Sequence, residues 1–217
     1  MKVFFTDLAS GLTKQQAHEL GVVLVDEEIV YEGDVVKDWE SLVLDPDDEE
    51  DFVSSAAPNV EQYKEVFNKY PNKELVYVSL SHVAKDSQVF HNLQKENIPN
   101  LTIVDSTFML QGQVEVLKRV MAGKPYDDLK YYFIIKGPKS SAIQSLANVT
   151  QNTKNKWCLY QMKNGVFVLL DMFDTKFVAK SKLKRLVNSP LQTHNDINIS
   201  MWLFCGRNYM GGIWEKK

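Results

Sequence analysis

The chain has 217 residues, of which 44% are hydrophobic and 24% are charged, and its formal net charge at pH 7 is −3. This composition is typical of a globular protein with a packed core and excludes a disordered chain. The slight acidic excess gives no attraction to nucleic acids or anionic lipid surfaces, so we expect neither as a partner. We find no apolar stretch near bilayer length and no secretory leader, and therefore expect a cytoplasmic protein without stable membrane insertion.

The first 130 residues alternate between short apolar runs and amphipathic segments. Strands are predicted at 3–6, 22–25, 28–31, 75–78 and 101–104. Thr13 and Asn59 each precede an amphipathic segment and have a glutamine three residues later, as in a helix capping box. Asp86 can begin a third helix, and a fourth ends near Gly123. Because this alternation implies a parallel sheet, we assign residues 1–130 to an N-terminal α/β lobe.

The segment Asp45–Asp51 is strongly acidic, with six acids in seven residues. A solvated helix start or surface loop is the simpler interpretation, since acids are favourable in the first turn of a helix. The alternative, a cation site, lacks a glycine at the turn position and a regular ligand spacing. We therefore predict no metal site.

After residue 130 the pattern indicates antiparallel pairing. Strands are predicted at 131–135, 157–161, 166–170 and 197–204. The second and third of these flank Asn164-Gly165, a typical hairpin turn. A glycine-bearing loop at 206–212 follows the last strand, and such a loop lets the backbone approach a ligand closely. These elements predict a smaller, mixed α/β C-terminal lobe, residues 131–217.

Residues 175–187 predict a basic amphipathic helix. The apolar positions expected to face inward are Phe177, Val178, Leu183, Leu186 and Val187. The basic positions expected to face outward are Lys176, Lys180, Lys182, Lys184 and Arg185. Solvation explains such charges most simply, and a docking face for an acidic partner is the functional alternative.

Polar residues follow three of the predicted parallel strands, where ligands of open α/β sheets bind. They are Thr6-Asp7, Ser79-Leu80-Ser81 and Asp105-Ser106, and we expect Ser54-Ser55 to reach the same place on a nearby loop. Hydroxyls and helix N-termini can hydrogen-bond a carboxylate, so this set suits an anionic head group. The alternative for each serine is a turn or cap role within the chain.

Evidence for catalysis is weaker. His82 lies beside these segments, and Asp7 or Asp105 could orient it, which would suit a hydrolase or a phosphotransferase. We find no nucleophile elbow, metal-ligand cluster, phosphate loop or dinucleotide fingerprint, and therefore predict a binding protein rather than an enzyme.

Four segments and one helix end are similar to the motifs of one known protein family. Residues 6–12 (TDLASGL) are similar to the family's T-D-S-x-x-D-L, and residues 55–59 (SAAPN) to its T-S-Q-P-S loop. Residues 80–88 (LSHVAKDSQ) follow S-S-x-L-S-G-T-Y-Q, and residues 105–112 (DSTFMLQG) follow D-S-x-x-x-S-x-G. The helix end at residues 122–125 (AGKP) also fits. Together these segments resemble the DegV family of bacterial fatty-acid-binding proteins.

This resemblance implies a two-lobed DegV-like fold and a long-chain fatty acid held between the lobes, with no other cofactor. It places the carboxylate near Ser55, at the family's carboxylate-binding threonine, near Ser81, and near Arg207 or Asn208, which stand where the family has a histidine. Supporting positions are Ser54, Thr6, Asp105 and Ser106. Members carry acyl groups for a fatty acid kinase, so the resemblance also implies a kinase subunit as partner.

Departures from the family pattern motivate an alternative. Ala84 replaces a serine that holds the carboxylate in family members, the histidine is missing, and the second lobe is short. A regulatory or interaction module that keeps the fold and has lost the ligand is therefore the second hypothesis.

Overall fold

The computed structural model describes residues 1–31, 34–36, 53–56, 58–81, 88–137, 153, 155–198, 201 and 209–216. Within these residues the chain forms a four-stranded parallel sheet, a small three-stranded sheet and a five-stranded antiparallel sheet. The acidic segment Asp45–Asp51 and Asp86 lie outside the described residues.

The parallel sheet is built from the apolar runs of the N-terminal half. Its strands are β1 (Lys2–Asp7), β2 (Val23–Val25), β6 (Glu74–Ser79) and β7 (Leu101–Asp105). Their order in the sheet is β2-β1-β6-β7, and every neighbouring pair is parallel. The parallel sheet predicted from the alternation of strands and helices is therefore confirmed.

The small sheet contains strands β3 (Glu28–Tyr31), β4 (Asp34–Val36) and β5 (Val53–Ala56), all paired antiparallel. Ser54 and Ser55 lie in β5, where their backbones are in register with Val30 and Ile29 of β3. The prediction that these two serines lie on a loop is wrong, because β3 supplies an edge with which this segment pairs.

Four helices follow strands of the N-terminal half. They are α1 (Lys14–Leu20), α2 (Val60–Phe67), α3 (Gln88–Lys95) and α4 (Leu110–Met121). Both predicted capping boxes are present, with Thr13 paired to Gln16 and Asn59 to Gln62. Each satisfies two backbone donors that a helix start leaves unpaired. Gly21 ends α1 in the left-handed conformation, at φ 69°.

The antiparallel sheet is built from the C-terminal half. Its strands are β8 (Lys130–Lys136), β9 (Trp157–Lys163), β10 (Val166–Phe173), β11 (Gln192–Thr193) and β12 (Met210–Trp214). Their order is β10-β9-β8-β12-β11. The predicted hairpin is confirmed, and Asn164 and Gly165 both have positive φ, at 49° and 79°. Two positive φ angles suit the right-handed twist of a tight hairpin.

The predicted strand at 197–204 is wrong for its described residues. Ile197 and Asn198 are not in a strand, and Met201 has helical geometry. The Asn198 side chain accepts a hydrogen bond from the Met201 backbone N–H at 3.0 Å, as a helix cap does. The strand lies later, at β12, so Gly211 and Gly212 belong to a strand and not to the predicted loop.

Helix α5 (Lys176–Leu186) is the predicted basic helix and is capped by Thr175. Ala179 and Leu183 are its fully buried residues. Phe177 is 81% exposed and Val178 is 49% exposed, so the prediction that these two face inward is wrong. The buried stripe is centred on Ala179 and Leu183, four residues apart, and Phe177 lies nearly on the opposite side of the helix.

Helix α4 packs against both the parallel sheet and the antiparallel sheet. Val114, Val116 and Leu117 belong to a buried cluster that also contains Val78 of the parallel sheet and Phe133 of the antiparallel sheet. The predicted fold class, an α/β protein with a parallel-sheet lobe and a smaller mixed lobe, is confirmed. The division of the chain at residue 130 stays a prediction.

Candidate functional site at the ends of the parallel strands

The three polar segments predicted to meet do lie together at the carboxyl ends of β1, β6 and β7. The Leu80 backbone N–H donates to the Asp7 carboxylate at 3.3 Å. The Ser106 backbone N–H donates to the Ser79 carbonyl at 3.2 Å. Adjacent parallel strands end at the same edge of a sheet, which is why segments far apart in the sequence converge here.

Asp7 is at the centre of this region and is fully enclosed by the protein. Its Oδ1 accepts hydrogen bonds from the Ala9 backbone N–H at 3.1 Å and from Gln113 Nε2 at 3.0 Å. Its Oδ2 accepts from the Tyr77 hydroxyl at 2.6 Å and from the Leu80 backbone N–H. Burial raises the pKa of Asp7, although these hydrogen bonds act in the opposite direction.

The four donors fill the acceptor sites that a carboxylate offers. Asp7 therefore has no site left with which to orient His82, which itself lies outside the described residues. In the other candidate pair, Asp105 Oδ1 already accepts from the Thr107 backbone N–H at 2.8 Å. The catalytic interpretation gains no support from either aspartate.

A buried network extends from Asp7 to two helices. The Tyr77 and Tyr63 hydroxyls are 2.9 Å apart, which links β6 to α2. Burial first, and then the Asp7 carboxylate, raise the pKa of Tyr77 well above its usual value. Gln113 of α4 also donates to Thr6 Oγ1 at 3.0 Å and to the Val78 carbonyl at 3.2 Å. Gln113 was not predicted as a site residue. The one feature of the sequence that could have indicated it is a polar residue directly before Val114, the first apolar position predicted for this helix.

Two of the predicted site hydroxyls donate within the chain. Thr6 Oγ1 donates to the Val78 carbonyl at 3.0 Å. Ser106 Oγ donates to the Phe108 carbonyl at 2.8 Å and accepts from the Phe108 backbone N–H at 3.1 Å. Because a hydroxyl has one proton to donate, neither can offer it to an anion while these bonds persist.

Ser81 follows β6 and is completely buried, with its backbone N–H donating to the Phe108 carbonyl at 3.2 Å. Arg207 and Asn208 lie outside the described residues, as does Ala84. The structure thus brings Thr6, Ser81, Asp105 and Ser106 together. Their role in ligand binding stays a prediction.

Asn198, in the C-terminal half of the chain, forms hydrogen bonds with the segment that follows β1. Its amide nitrogen donates to the Leu8 carbonyl at 2.8 Å and to the Leu12 carbonyl at 3.0 Å. Its backbone N–H donates to the Gly11 carbonyl at 2.9 Å. Sequence analysis assigned Asn198 to a strand and therefore missed this contact.

An aromatic stack covers the side of the antiparallel sheet that faces α4. Tyr131 and Phe133 stack with ring centroids 5.6 Å apart, and Phe133 and Tyr160 stack at 5.3 Å. The Tyr160 hydroxyl is buried, and burial first, and then the neighbouring Cys158 thiol, raise the pKa of Tyr160. Cys158, also buried in this cluster, is a free thiol, and burial raises its pKa. This surface is strongly apolar.

Within the described part of the chain, no three histidine, cysteine, aspartate or glutamate side chains are grouped closely enough to hold a metal ion. Among the same residues, no helix has the length and apolar character needed to cross a bilayer.

The fold is that of a two-lobed α/β protein found in many solved structures. A DegV family protein from Thermus thermophilus, described as binding fatty acid, superposes with a TM-score of 0.72 at 12% identity, over 99% of both chains. A stearic-acid-binding protein from Eubacterium ventriosum gives a TM-score of 0.71 at 14% identity, over 100% of this chain and 99% of that one.

DegV of Bacillus subtilis, described as a fatty acid binding protein, gives a TM-score of 0.71 at 13% identity, over 100% of this chain and 99% of that one. No protein-family model matches the chain, and no curated protein matches it in sequence. At identities this low, the superpositions establish that the chain has the DegV-type fold.

Proposed function

We propose that this chain binds a long-chain fatty acid between its two lobes, as a DegV-like protein without catalytic activity of its own. The observation that carries the proposal is the fold, which superposes over nearly the full length of proteins described as binding fatty acids, stearic and heptadecanoic acids among them. The proposal includes a bacterial, cytoplasmic setting and an acyl-carrying role beside a kinase subunit.

The head-group contacts are taken from the family resemblance, which places the carboxylate at particular positions of this chain. A carboxylate needs hydrogen-bond donors, and the hydroxyl protons of Thr6 and Ser106 are already given to backbone carbonyls. We assign the carboxylate to Ser55 and Ser81, the positions that the resemblance implies, with Arg207 as a bidentate partner. Asn208 and Ser54 are next to these residues in the sequence, and Thr6, Asp105 and Ser106 take supporting roles.

The acyl chain requires an apolar environment close to the carboxyl ends of the parallel strands. The buried cluster that runs from Val78 to Phe133 through α4 begins beside the carboxyl ends of the parallel strands. Burying an alkyl chain there would contribute about 0.8 kcal/mol for each CH₂ group removed from water. That gain would supply most of the affinity, and the carboxylate contacts would fix the orientation.

Replacement of Ser55 by alanine is expected to weaken fatty acid binding by about 10- to 150-fold, because one hydrogen bond to a charged group contributes about 1.5–3 kcal/mol. Titration of the purified protein with stearic acid in a calorimeter measures this change. The matched control is Ser181→Ala in α5, which should bind as the wild type does. Equal affinities for Ser55→Ala and the wild type would show that Ser55 has only a structural role.

One observation favours the second candidate, an interaction module without a ligand. Tyr131, Phe133 and Tyr160 stack on one another, and each is at most 2% exposed. Side chains that already pack at this density leave an acyl chain little room unless they move. A protein that takes up no fatty acid while remaining folded would support this candidate over the carrier.

A further inference from the structure

Exposed apolar side chains are concentrated on one part of the molecule. Among the described residues six large hydrophobic side chains are exposed, and four of them belong to β10 and α5. Val168 and Leu170 of β10 are 38% and 44% exposed, and Phe177 and Val178 of α5 are more exposed still. A group of this kind marks an interaction site more often than single scattered residues do.

Val168 of β10 lies on the side of the antiparallel sheet that α5 covers. Val168 is in register with Gln161 of β9, and Phe173 with Trp157. Trp157 and Phe173 pack in the cluster that contains Ala179 and Leu183 of α5. Because residues opposite each other share a face and alternate residues along β9 do too, Val168 is on the side that α5 covers. Leu170 lies at a register shift between Leu169 and Asp171, where the alternation is interrupted. Helix α5 leaves Val168 partly exposed.

The outer side of α5 is basic. The helix has five basic residues among eleven and no acid. Phe177, Lys180, Ser181, Lys184 and Arg185 follow the spacing that places residues on one helix face. Among the described residues, Lys180, Lys184 and Arg185 form no salt bridge. These three residues form a positively charged patch, although the chain as a whole has a net charge of −3.

We propose that Val168 of β10, together with the outer side of α5, forms a docking surface for an acidic amphipathic segment of another protein. The exposed apolar side chains would contact the apolar face of that segment, and Lys180, Lys184 and Arg185 would contact its acids. This surface is independent of fatty acid binding.

A protein segment suits this surface better than an anionic bilayer. Asp171 of β10 is exposed, and the Asp174 side chain, 82% exposed and paired with Lys156, directly precedes α5. A planar anionic surface that reached Phe177 would also meet these carboxylates, whereas a peptide can place its acids beside the lysines alone.

The test uses a fluorescein-labelled synthetic amphipathic helix of leucine and glutamate, with a leucine and lysine helix as the reverse-charge control. Fluorescence anisotropy of each with the full chain gives the affinity. The acidic helix should bind, and the double change Lys180→Glu and Lys184→Glu should weaken it by at least about tenfold, since two attractive contacts become repulsive. Phe177→Ser should weaken binding as well, and Phe177 is exposed enough that the fold should not change.

The matched control is Lys95→Glu with Lys124→Glu, which alters the net charge equally at two exposed positions outside the surface. It should leave the affinity unchanged. Equal losses in the two double variants, or no binding of the acidic helix, would overturn the proposal. Binding to phosphatidylglycerol vesicles in place of the acidic helix would overturn it in favour of a membrane.

Discussion

Asp7→Ala is expected to lower the free energy of unfolding by about 3–5 kcal/mol, the largest effect of any single substitution considered for this chain. The substitution leaves the backbone N–H groups of Ala9 and Leu80 without their acceptor in a buried region. It also removes one acceptor each from the Tyr77 hydroxyl and the Gln113 amide, and so weakens the contact between β1, β6 and α4. Urea unfolding followed by circular dichroism measures the change.

Asp26→Ala is the matched control for Asp7→Ala. Asp26 contacts Lys14 at 3.7 Å, and both side chains are exposed. Pairs of this kind contribute about 0–1 kcal/mol, so this variant should unfold close to the wild type. If Asp7→Ala and Asp26→Ala lost equally little stability, the Asp7 network would not be a determinant of the fold.

The effect of Asp7 should also depend on pH. Its pKa in the folded protein is raised above the value of 3.8 expected when unfolded, mainly by burial. The folded state therefore holds this proton more tightly, and the resulting stabilisation is full below 3.8 and is lost as the pH rises through the folded pKa. The stability difference between the wild type and Asp7→Ala should therefore fall as the pH rises from 3.8 through the pKa of Asp7 in the folded protein. A difference that grew with pH would contradict the assigned direction.

Asn198→Ala is expected to cost about 3 kcal/mol, the second largest effect. Its side chain satisfies the Leu8 and Leu12 carbonyls and the Met201 backbone N–H in a buried setting, and alanine replaces none of these bonds. The loss should also loosen the loop after β1 from the C-terminal half. Hydrogen exchange at the Met201 amide, with urea unfolding, measures both consequences.

Asn188→Ala is the control that shows whether the effect of Asn198→Ala comes from the burial of the hydrogen bonds that are lost. Asn188 donates to the Glu215 carbonyl at 2.8 Å and accepts from the Glu215 backbone N–H at 3.0 Å, but it is exposed. Water can replace both bonds there, so we expect a loss under about 1 kcal/mol. Equal losses for Asn188→Ala and Asn198→Ala would contradict the role of Asn198 as a buried clamp.

Local signals in the sequence were sufficient for much of the fold. The capping boxes at Thr13 and Asn59 and the hairpin at Asn164-Gly165 each specify one backbone geometry, and all three are present. The alternation of strands and helices predicted the parallel sheet, because parallel neighbours need a crossover connection. These features depend on residues close together in the chain.

Features set by tertiary packing were not predicted. Strand β12 contains Gly211 and Gly212, which favour a loop in isolation. In the fold, a side chain at Gly211 would come within 2.3 Å of the Tyr209 hydroxyl, so the strand needs a glycine there. Phe177 was assigned inward because an apolar residue on a helix is usually buried, and only the position of the sheet decides which stripe is covered.

The site was predicted in part. The convergence of Thr6, Ser81 and Ser106 follows from parallel topology alone. That the Thr6 hydroxyl donates to the Val78 carbonyl, and that Gln113 reaches Thr6 and Asp7 from α4, was not predicted. These contacts join residues 72 to 107 positions apart, which hydrophobic periodicity does not encode.

Native mass spectrometry of the freshly purified protein is the decisive test of fatty acid binding, since it detects a bound mass without prior choice of ligand. We expect a co-purified species in the fatty acid mass range, or uptake of stearic acid when it is offered to the emptied protein. A folded protein that carries no such species and takes up no added fatty acid would contradict the carrier function.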